Sequence, residues 1–389
     1  FRRVLFRSFG VRLASEDPTS PEASSNAIEE RVVLPPVAHE SSWIDALCEE
    51  FVRDKSISHV FPIGEAEIAA LGEYREALPR YVSVVSPDPQ VASLCLDKAR
   101  SLEHALRLGV PTPESITILD QEGLRTSVRQ IGFPCILKPN KSFVRIGGEK
   151  ALILEGEADL SPLIQDWPPE TGPVLLQRLV RGERRNCHFV AHKGQIVARC
   201  EDIVIRSDRR NGTGIGVQWK SVKPTEELWD FCDTLCRDLE YHGPGNIQFL
   251  RAGDGSELAF LEFNPRLSLV AGFAVRLGVN LPALAVEGAM AWGDSSAPPP
   301  IKREASTYQS GLVMHSLFGD LQGILETRSE LKSNELFRSL GVACRNFFTA
   351  DEHFSWSLSD PLPTLLLYRD LIFRLALASF RRIRRGVSL

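Results

Sequence analysis

Apolar and polar positions follow two different periods in the first part of the chain. Short apolar runs at 31–34, 59–63 and 81–85 predict strands. Between them, 42–55 and 65–74 carry apolar residues at helical spacing and predict two helices. A strand–helix–strand–helix–strand order predicts an open parallel sheet of the α/β class.

The pattern continues with a second group of elements. A helix is predicted over 89–109, because Gly109 and Pro111 would end it. Further strands are predicted at 135–139, 151–154, 174–180, 186–190 and 195–201. Further helices are predicted at 225–239, 267–277 and 282–291. Strand pairs without intervening helices predict α+β subdomains in this part of the chain.

The most informative pattern is a hairpin that ends in a cluster of polar side chains. Gly253-Asp254-Gly255 is a hairpin-type turn between two apolar strands. Glu262 and Asn264 lie two positions apart, so they share a face, and Gln248 lies on the partner strand. Three oxygen ligands on one face suit Mg²⁺, and Arg266 would add a guanidinium for phosphate oxygens. A hairpin with an ordinary solvated face is the alternative.

The spacing of these residues resembles a known signature. Gln248, thirteen residues and then Glu262-x-Asn264-Pro265-Arg266 is similar to the metal-binding pattern of the ATP-grasp superfamily, in particular of the carbamoyl phosphate synthetase large-chain type. The resemblance covers about residues 57–295. It implies an ATP-grasp fold preceded by a Rossmann-like preATP-grasp domain, with ATP and Mg²⁺ (or Mn²⁺) as cofactors. Gln248, Glu262 and Asn264 would be the metal ligands and Arg266 the catalytic residue.

Two lysines are implied as phosphate ligands by the same resemblance. Lys98 lies on the predicted helix that leads into the nucleotide-binding part of the chain. Lys138 lies on a predicted strand before a loop that ends in Gly147-Gly148. Backbone N–H groups of such a loop and a lysine beside it both suit anionic oxygens. The loop has fewer glycines than in many relatives.

The strand that begins at 174 is implied to hold the adenosine part of the nucleotide. Backbone groups of Arg178 and Val180 would hydrogen-bond the adenine edge, and Gln177 would accept from the adenine amino group. Glu183 would hold the ribose hydroxyls. A surface ion pair is the alternative for Glu183, because two arginines follow it directly.

A loop at 205–216 contains three glycines and three arginines. Arg206, Arg209 and Arg210 could neutralise a carboxylate or phosphate of the acceptor substrate. A solvated basic loop is the alternative interpretation.

Composition changes divide the chain into predicted segments. Residues 14–30 are rich in Ser, Pro, Glu and Ala and predict loop or disorder. The chain begins without Met and without a glycine-rich first turn, so we expect the preATP-grasp domain to be truncated. The predicted segments are a disordered or non-native leader (1–30), the truncated preATP-grasp domain (31–90), a small ATP-grasp subdomain (91–180), a large subdomain with the metal site (181–297) and a C-terminal extension (298–389).

Charge and cysteine usage exclude several classes of protein. The formal net charge of −5 disfavours general nucleic-acid binding. Eight cysteines form no CxxC pair and no zinc pattern with histidines, which favours a reducing cytoplasm. No apolar run approaches the roughly 20 residues of a membrane span. Residues 364–385 are amphipathic and basic, so peripheral membrane contact is one expectation and docking on the protein's own body the other.

The resemblance implies an ATP-dependent ligase that joins a small-molecule carboxylate to an amine and forms ADP and phosphate. Activation of bicarbonate is an alternative within the same fold, although a lone ATP-grasp unit lacks a biotin or glutamine module. A nucleotide-binding protein without turnover is a second alternative. A dinucleotide oxidoreductase is disfavoured, because no GxGxxG precedes residue 147. The identities of acid and amine and the oligomeric state stay open.

Overall fold

The chain divides into two compact units. The structure is a computed structural model that describes residues 10–141, 144–146, 148–165, 167, 172–292, 307–328 and 331–373. The larger unit comprises Val37–Ile205 and Trp219–Leu312, and the smaller comprises the described parts of Phe1–Pro36, Arg206–Gln218 and Val313–Leu389. The segment boundaries expected from composition stay predictions.

The larger unit begins with alternating helices and strands. They are α1 (Glu40–Arg53), β3 (His59–Val60), α2 (Glu65–Glu73) and β4 (Ser83–Val84). Strands β3 and β4 pair in parallel, which confirms the α/β interpretation of this segment. The run at 31–34 does not join them, because β2 (Glu30–Val33) pairs in parallel with β1 (Arg12–Ser15) in a separate sheet of the smaller unit. The expectation of one three-stranded sheet is therefore wrong.

Within its described residues, the leader is structured. Strand β1 lies in the segment 1–30 that composition assigned to a disordered leader, and Ala23 and Ala27 are buried. Ser25 Oγ donates to Asp360 Oδ2 at 2.5 Å, and Asn26 Nδ2 donates to the Ser359 carbonyl at 2.9 Å. These partners lie more than 330 positions away, so the composition of the leader alone gave no sign of them.

The helix expected over 89–109 is two helices. They are α3 (Pro89–Leu96) and α4 (Lys98–Arg107), separated by Asp97 in an extended conformation. Asp97 Oδ1 accepts from the Arg100 N–H at 2.9 Å and so caps α4. A free N–H at a helix start needs such an acceptor, and an aspartate supplies it well. The break makes Lys98 the first residue of α4.

A four-stranded antiparallel sheet follows, in the order β5-β8-β6-β7. Its strands are β5 (Ser115–Ile118), β6 (Cys135–Pro139), β7 (Leu152–Leu154) and β8 (Val174–Arg178). Helices α5 (Gln121–Ile131) and α6 (Glu157–Gln165) supply apolar residues to the same core as this sheet, with Leu124, Val128, Leu160, Leu137 and Leu176 all buried. The three strands expected at 135–139, 151–154 and 174–180 are confirmed apart from their ends.

A second sheet includes strands in the order β13-β12-β9-β10-β11, and the first four of these are antiparallel neighbours. These strands are β9 (Gly182–His192), β10 (Gln195–Ser207), β11 (Gly216–Val222), β12 (Gly243–Ala252) and β13 (Leu258–Asn264). Helix α7 (Glu226–Asp238) covers one face, where Cys187, Phe189 and Phe249 are buried with Trp229. Because side chains alternate along a strand, Asn186 and His188 lie on the opposite face. Helices α8 (Ala271–Arg276) and α9 (Leu281–Trp292) follow β13.

The smaller unit contains the described part of the C-terminal extension. It has β14 (Val313–His315) paired in parallel with β15 (Glu352–His353), together with α10 (Leu317–Thr327) and α11 (Ser333–Thr349). Residues 362–373 are helical, and the rest of the predicted amphipathic segment, 374–385, lies outside the described residues. Among the described helices, none has the length and apolar character that crossing a bilayer requires.

Candidate active site

The β12–β13 hairpin places the predicted metal ligands on one face. Gln248 is the direct cross-strand partner of Glu262, and Asn246 is the partner of Asn264. Paired residues point to the same side of a sheet, so all four side chains share a face. The register shifts after Gln248, and this irregularity lets Phe260 and Phe263 both reach the opposite, apolar face.

Hydrogen bonds within this face hold its side chains in position. Asn264 Nδ2 donates to Glu262 Oε1 at 2.9 Å, and Gln248 Nε2 donates to Asn246 Oδ1 at 3.1 Å. Arg266 Nη2 donates to Asn264 Oδ1 at 3.3 Å and to Glu65 Oε1 at 2.8 Å. Each amide therefore uses its nitrogen within the protein, which directs its oxygen toward other partners.

Glu262 is the carboxylate at the centre of a group of cations. Burial acts to raise the pKa of Glu262, but the positive charge of Lys98 and the hydrogen bond from Asn264 oppose it. Arg266 and Lys138 add to this effect, and the pKa of Glu262 is lowered overall. A carboxylate held ionised on a half-buried face is a suitable ligand for a hard cation.

Lys138 on β6 faces the same group. Burial lowers the pKa of Lys138 to about 8, the charge of Glu262 opposes the shift, and Lys98 and Arg184 add to it. Lys138 Nζ donates to Gln177 Oε1 at 2.8 Å. Lys98, Lys138 and Arg266 thus all act on the single carboxylate of Glu262, and such a group of cations favours a polyanion.

Asn140 links the two lysines. Its carbonyl accepts from the Lys98 N–H at 3.2 Å, and its Oδ1 accepts from the Ala99 N–H at 2.9 Å. Asn140 follows β6, the strand of Lys138, so these bonds fix the first turn of α4 against the end of β6. Lys98 and Lys138 consequently lie at one site although forty positions separate them.

Some polar groups of the predicted adenosine-binding strand already form hydrogen bonds and an ion pair within the protein. Gln177 is buried, and its Nε2 donates to Ser115 Oγ at 2.9 Å while its Oε1 accepts from Lys138. The Arg178 N–H donates to the Glu114 carbonyl at 2.9 Å, and its guanidinium pairs with Glu257. Among the backbone hydrogen bonds of the described residues, none is donated by the Val180 N–H.

The predicted ribose ligand, Glu183, already has a partner within the protein. Glu183 pairs with Arg185 at 2.8 Å. Strand register places Glu183 an odd number of positions from Asn186, the partner of Gln248, so its side chain lies on the opposite face. The structure therefore does not bring Glu183 to the metal ligands. Gly148 has φ of 85°, a conformation that favours glycine, and Gly147 lies outside the described residues.

The three loop arginines are each paired with an acid of the smaller unit. Arg206 bonds to Asp320, Arg209 to Glu326 at 3.1 Å, and Arg210 to Glu335 at 3.2 Å. Each guanidinium is thus neutralised by a carboxylate of the same unit, as it would be in an ordinary structural ion pair.

The sequence interpretation missed several polar residues of the site. They are Glu65, Asn140, Arg184, Asn186, His188, Asp202 and Asn246. A signal for part of this group was available, because Asn186 and His188 alternate with the apolar Cys187 and Phe189 on β9. Period-two alternation next to the hairpin predicts that these side chains continue its polar face.

Part of the chain matches a known family in sequence, and its fold is similar to that of several solved structures. Residues 172–310 match the model of a family described as "ATP-grasp in the biosynthetic pathway with Ter operon". A similar solved structure is the biotin carboxylase domain of 2-oxoglutarate carboxylase from Hydrogenobacter thermophilus, in complex with MgADP, ADP and bicarbonate. Its TM-score is 0.62 at 17% identity, over 80% of this chain and 70% of that chain.

A synthetase and a ligase show a similar likeness in fold. The ADP complex of N5-carboxyaminoimidazole ribonucleotide synthetase has a TM-score of 0.61 at 15% identity, over 83% of this chain and 79% of that chain. The L-amino acid ligase of Bacillus licheniformis has a TM-score of 0.53 at 16% identity, over 68% of this chain and 64% of that chain. The chain therefore has the ATP-grasp fold. The resemblance to the ATP-grasp superfamily, drawn from the Gln248–Arg266 signature, is confirmed.

Proposed function

We propose that the protein is an ATP-dependent ligase that activates a carboxylate as an acyl phosphate and joins it to an amine. The observation that supports this function is the shared face of Gln248, Glu262 and Asn264, whose carboxylate is acted on by two lysines and an arginine. Hard oxygen donors next to cations suit a metal ion bound together with a nucleoside triphosphate.

The donor set fits Mg²⁺ or Mn²⁺ only together with a nucleotide. Within the described ranges, no group of three or more His, Cys, Asp or Glu side chains could hold a metal by itself. Gln248, Glu262 and Asn264 would supply one carboxylate and two amide oxygens, and phosphate oxygens would complete the coordination. When bound, the metal would neutralise charge on the β- and γ-phosphates.

The chain's own cations would hold the remaining phosphate oxygens. Lys98 at the start of α4 and Lys138 on β6 approach Glu262 from different elements, so together they would fix a triphosphate in one orientation. Arg266 would neutralise charge on the transferring phosphoryl group, and Glu65 would hold its guanidinium in place. The Val180 N–H would donate to the adenine edge.

The two-step reaction requires positioning and charge neutralisation rather than a protein nucleophile. A carboxylate oxygen attacks the γ-phosphorus of ATP, the bond to the β–γ bridging oxygen breaks, and ADP leaves. The acyl phosphate has a good leaving group. An amine then attacks its carbonyl carbon, phosphate departs with the C–O electron pair, and the amine loses a proton.

A second candidate substrate is bicarbonate, which the solved biotin carboxylase domain binds together with ADP. Bicarbonate is itself a carboxylate-type oxygen nucleophile toward the γ-phosphorus, so the same phosphate-binding groups would serve.

ADP release by the purified protein distinguishes these functions. Mg·ATP would be supplied with an array of carboxylic acids, each with and without an array of amines, and with bicarbonate alone. We expect ADP release only when a suitable acid is present, and product amide only when an amine is added. Release with bicarbonate alone would favour the second candidate. Nucleotide binding without turnover under every condition would contradict both.

A further inference from the structure

A row of hydrogen bonds runs across three strands and ends at Gln248. Asp202 on β10 contacts His188 on β9, with 2.5 Å between Oδ2 and Nε2. His188 Nδ1 lies 3.1 Å from Asn246 Nδ2 on β12, and Asn246 Oδ1 lies 3.1 Å from Gln248 Nε2. Asp202, His188 and Asn246 are 2%, 4% and 1% exposed, so their polar atoms depend on one another rather than on water.

The order of donors and acceptors in this row is set at Asp202. A carboxylate can only accept, so the facing Nε2 of His188 carries the proton and its Nδ1 becomes the acceptor. Because Nδ1 accepts, the NH₂ group of Asn246 must be the group that faces it and donates. The nitrogen of that group also lies 3.4 Å from the Cys187 carbonyl oxygen. The Asn246 oxygen is then left for the NH₂ group of Gln248.

The last member of the row is left with its oxygen free. Since Gln248 uses its nitrogen toward Asn246, its Oε1 points away from the row and accepts no hydrogen bond from any described residue. In a row made only of amides and a neutral imidazole, hydrogen bonds could be donated in either direction, because each of these groups can both donate and accept. The carboxylate removes that ambiguity, and Asn186 Nδ2, which donates to its second oxygen at 2.6 Å, holds it in place.

We propose that Asp202 is a positioning residue that acts through His188 and Asn246 to present the Gln248 oxygen, and not its nitrogen, to a bound metal. An amide nitrogen bears hydrogens and has no available lone pair, so a reversed Gln248 would lose its place as a ligand. The inference rests on the proposed function, because it assumes that Gln248 ligates the metal of a metal–nucleotide complex.

The test compares two changes to the row in two backgrounds. Asn246→Ala removes the acceptor for the Gln248 nitrogen without a change of charge. Asp202→Asn keeps the size of the side chain but allows either direction of donation. Each is made in the wild-type chain and in a Gln248→Glu chain, whose carboxylate has two equivalent oxygens and needs no orientation. Titration calorimetry measures the dissociation constants for Mn·ADP and, in EDTA, for ADP alone.

In the wild-type background, Asn246→Ala should weaken Mn·ADP binding about tenfold, the lower end of losses seen for residues behind metal ligands. Asp202→Asn should weaken it about threefold, since two open orientations at least halve the competent population. In the Gln248→Glu background both changes should leave Mn·ADP affinity unchanged or tighten it. The affinity for ADP in EDTA should not change, and thermal unfolding would verify that each variant is folded.

Equal losses in both backgrounds would overturn the proposal, because they would mark a general structural or electrostatic role. No loss in the wild-type background would overturn it as well. Gln248→Ala separates this failure from a failure of the proposed function. If Gln248→Ala leaves Mn·ADP affinity unchanged, Gln248 is not a ligand, and both the metal site and the inference fall. If Gln248→Ala weakens binding while the row variants do not, only the inference falls.

Discussion

The polar face of the β12–β13 hairpin and the arginine loop at 205–216 both have nearby positive charge suited to anions. The two regions differ in the acidic partners of their cations. Around the hairpin, Lys98, Lys138 and Arg266 all act on a single carboxylate of that face, Glu262. In the loop, each arginine has its own acid, and Asp320 beside Arg206 also accepts from His315 Nε2 at 2.7 Å. Arg266 also pairs with Glu65, so the hairpin differs from the loop in that several cations share the charge of one carboxylate, whereas in the loop each cation has a separate acid.

This difference shows why residue type alone does not identify an anion site. A cation whose charge is already neutralised by a carboxylate gains less from a ligand than one held near other cations. Cations held close together repel one another, so the group at the hairpin favours an anionic ligand, in agreement with the proposed function. The balanced loop needs no such ligand.

The strongest test of the comparison is Glu262→Gln. The substitution keeps the size of the side chain but removes the ionised oxygen from the predicted metal ligands. We expect ATP turnover to fall more than about 100-fold, beyond the loss typical of residues behind a metal ligand. ADP release measures the effect, and circular dichroism verifies the fold. Asp254→Asn, an exposed carboxylate in the turn of the same hairpin, is the matched control and should keep full activity.

A second test uses the pH dependence of stability. The pKa of Lys138 is lowered to about 8 in the folded chain, chiefly by burial, from 10.5 for an ordinary lysine. Between these values the unfolded chain binds more protons than the folded chain, so stability should rise with pH. Below pH 8 both states are protonated and the full penalty of the buried charge applies. The gain from pH 8 to 9.5 should be about 2 kcal/mol.

Urea unfolding of the wild type and of Lys138→Met across this pH range isolates that contribution. As the pH rises, the free energy of unfolding of the wild type should increase relative to that of the variant. Lys220→Met changes an exposed lysine of the same unit and controls for the loss of a charge. A difference between wild type and Lys138→Met that stays constant with pH would mean that Lys138 is not buried among cations.

How much of the site can be predicted from the sequence depends on how far apart along the chain the contacting residues lie. The shared face of Gln248, Glu262 and Asn264 follows from local alternation and one short turn, so spacing suffices to place it. The cap by Asp97 is also local, but a continuous apolar pattern across 89–109 concealed it. An aspartate directly before Lys98 was the available signal.

Contacts between distant segments were beyond any pattern in the sequence. Glu65 lies 201 positions before Arg266, and Asp202 reaches Gln248 only through side chains on two other strands. The pairing of β1 with β2, rather than of β2 with β3, is likewise decided by tertiary packing. The acids that balance the arginine loop lie 114 to 125 positions after it.

The smallest expected effect is at the loop, where Glu326→Gln removes the partner of Arg209. The two side chains are 23% and 43% exposed, so water screens their attraction. Gln322 Nε2 donates to Glu326 Oε1 at 3.0 Å, and an amide at that position can still accept this bond. We expect the free energy of unfolding to change by less than about 1 kcal/mol and ATP turnover to stay at the wild-type rate.

The same variant also tests the comparison directly, because it removes a carboxylate partner of Arg209 without altering the hairpin. If the loop bordered the acceptor substrate, loss of the Glu326 carboxylate would change the KM for the acid or amine while the KM for ATP stayed constant. Steady-state kinetics with each substrate varied in turn would detect that selective change. An unchanged KM for all substrates would favour a structural role for the pair with Glu326, because removal of an acidic neighbour should alter the affinity of a substrate-binding arginine for an anion.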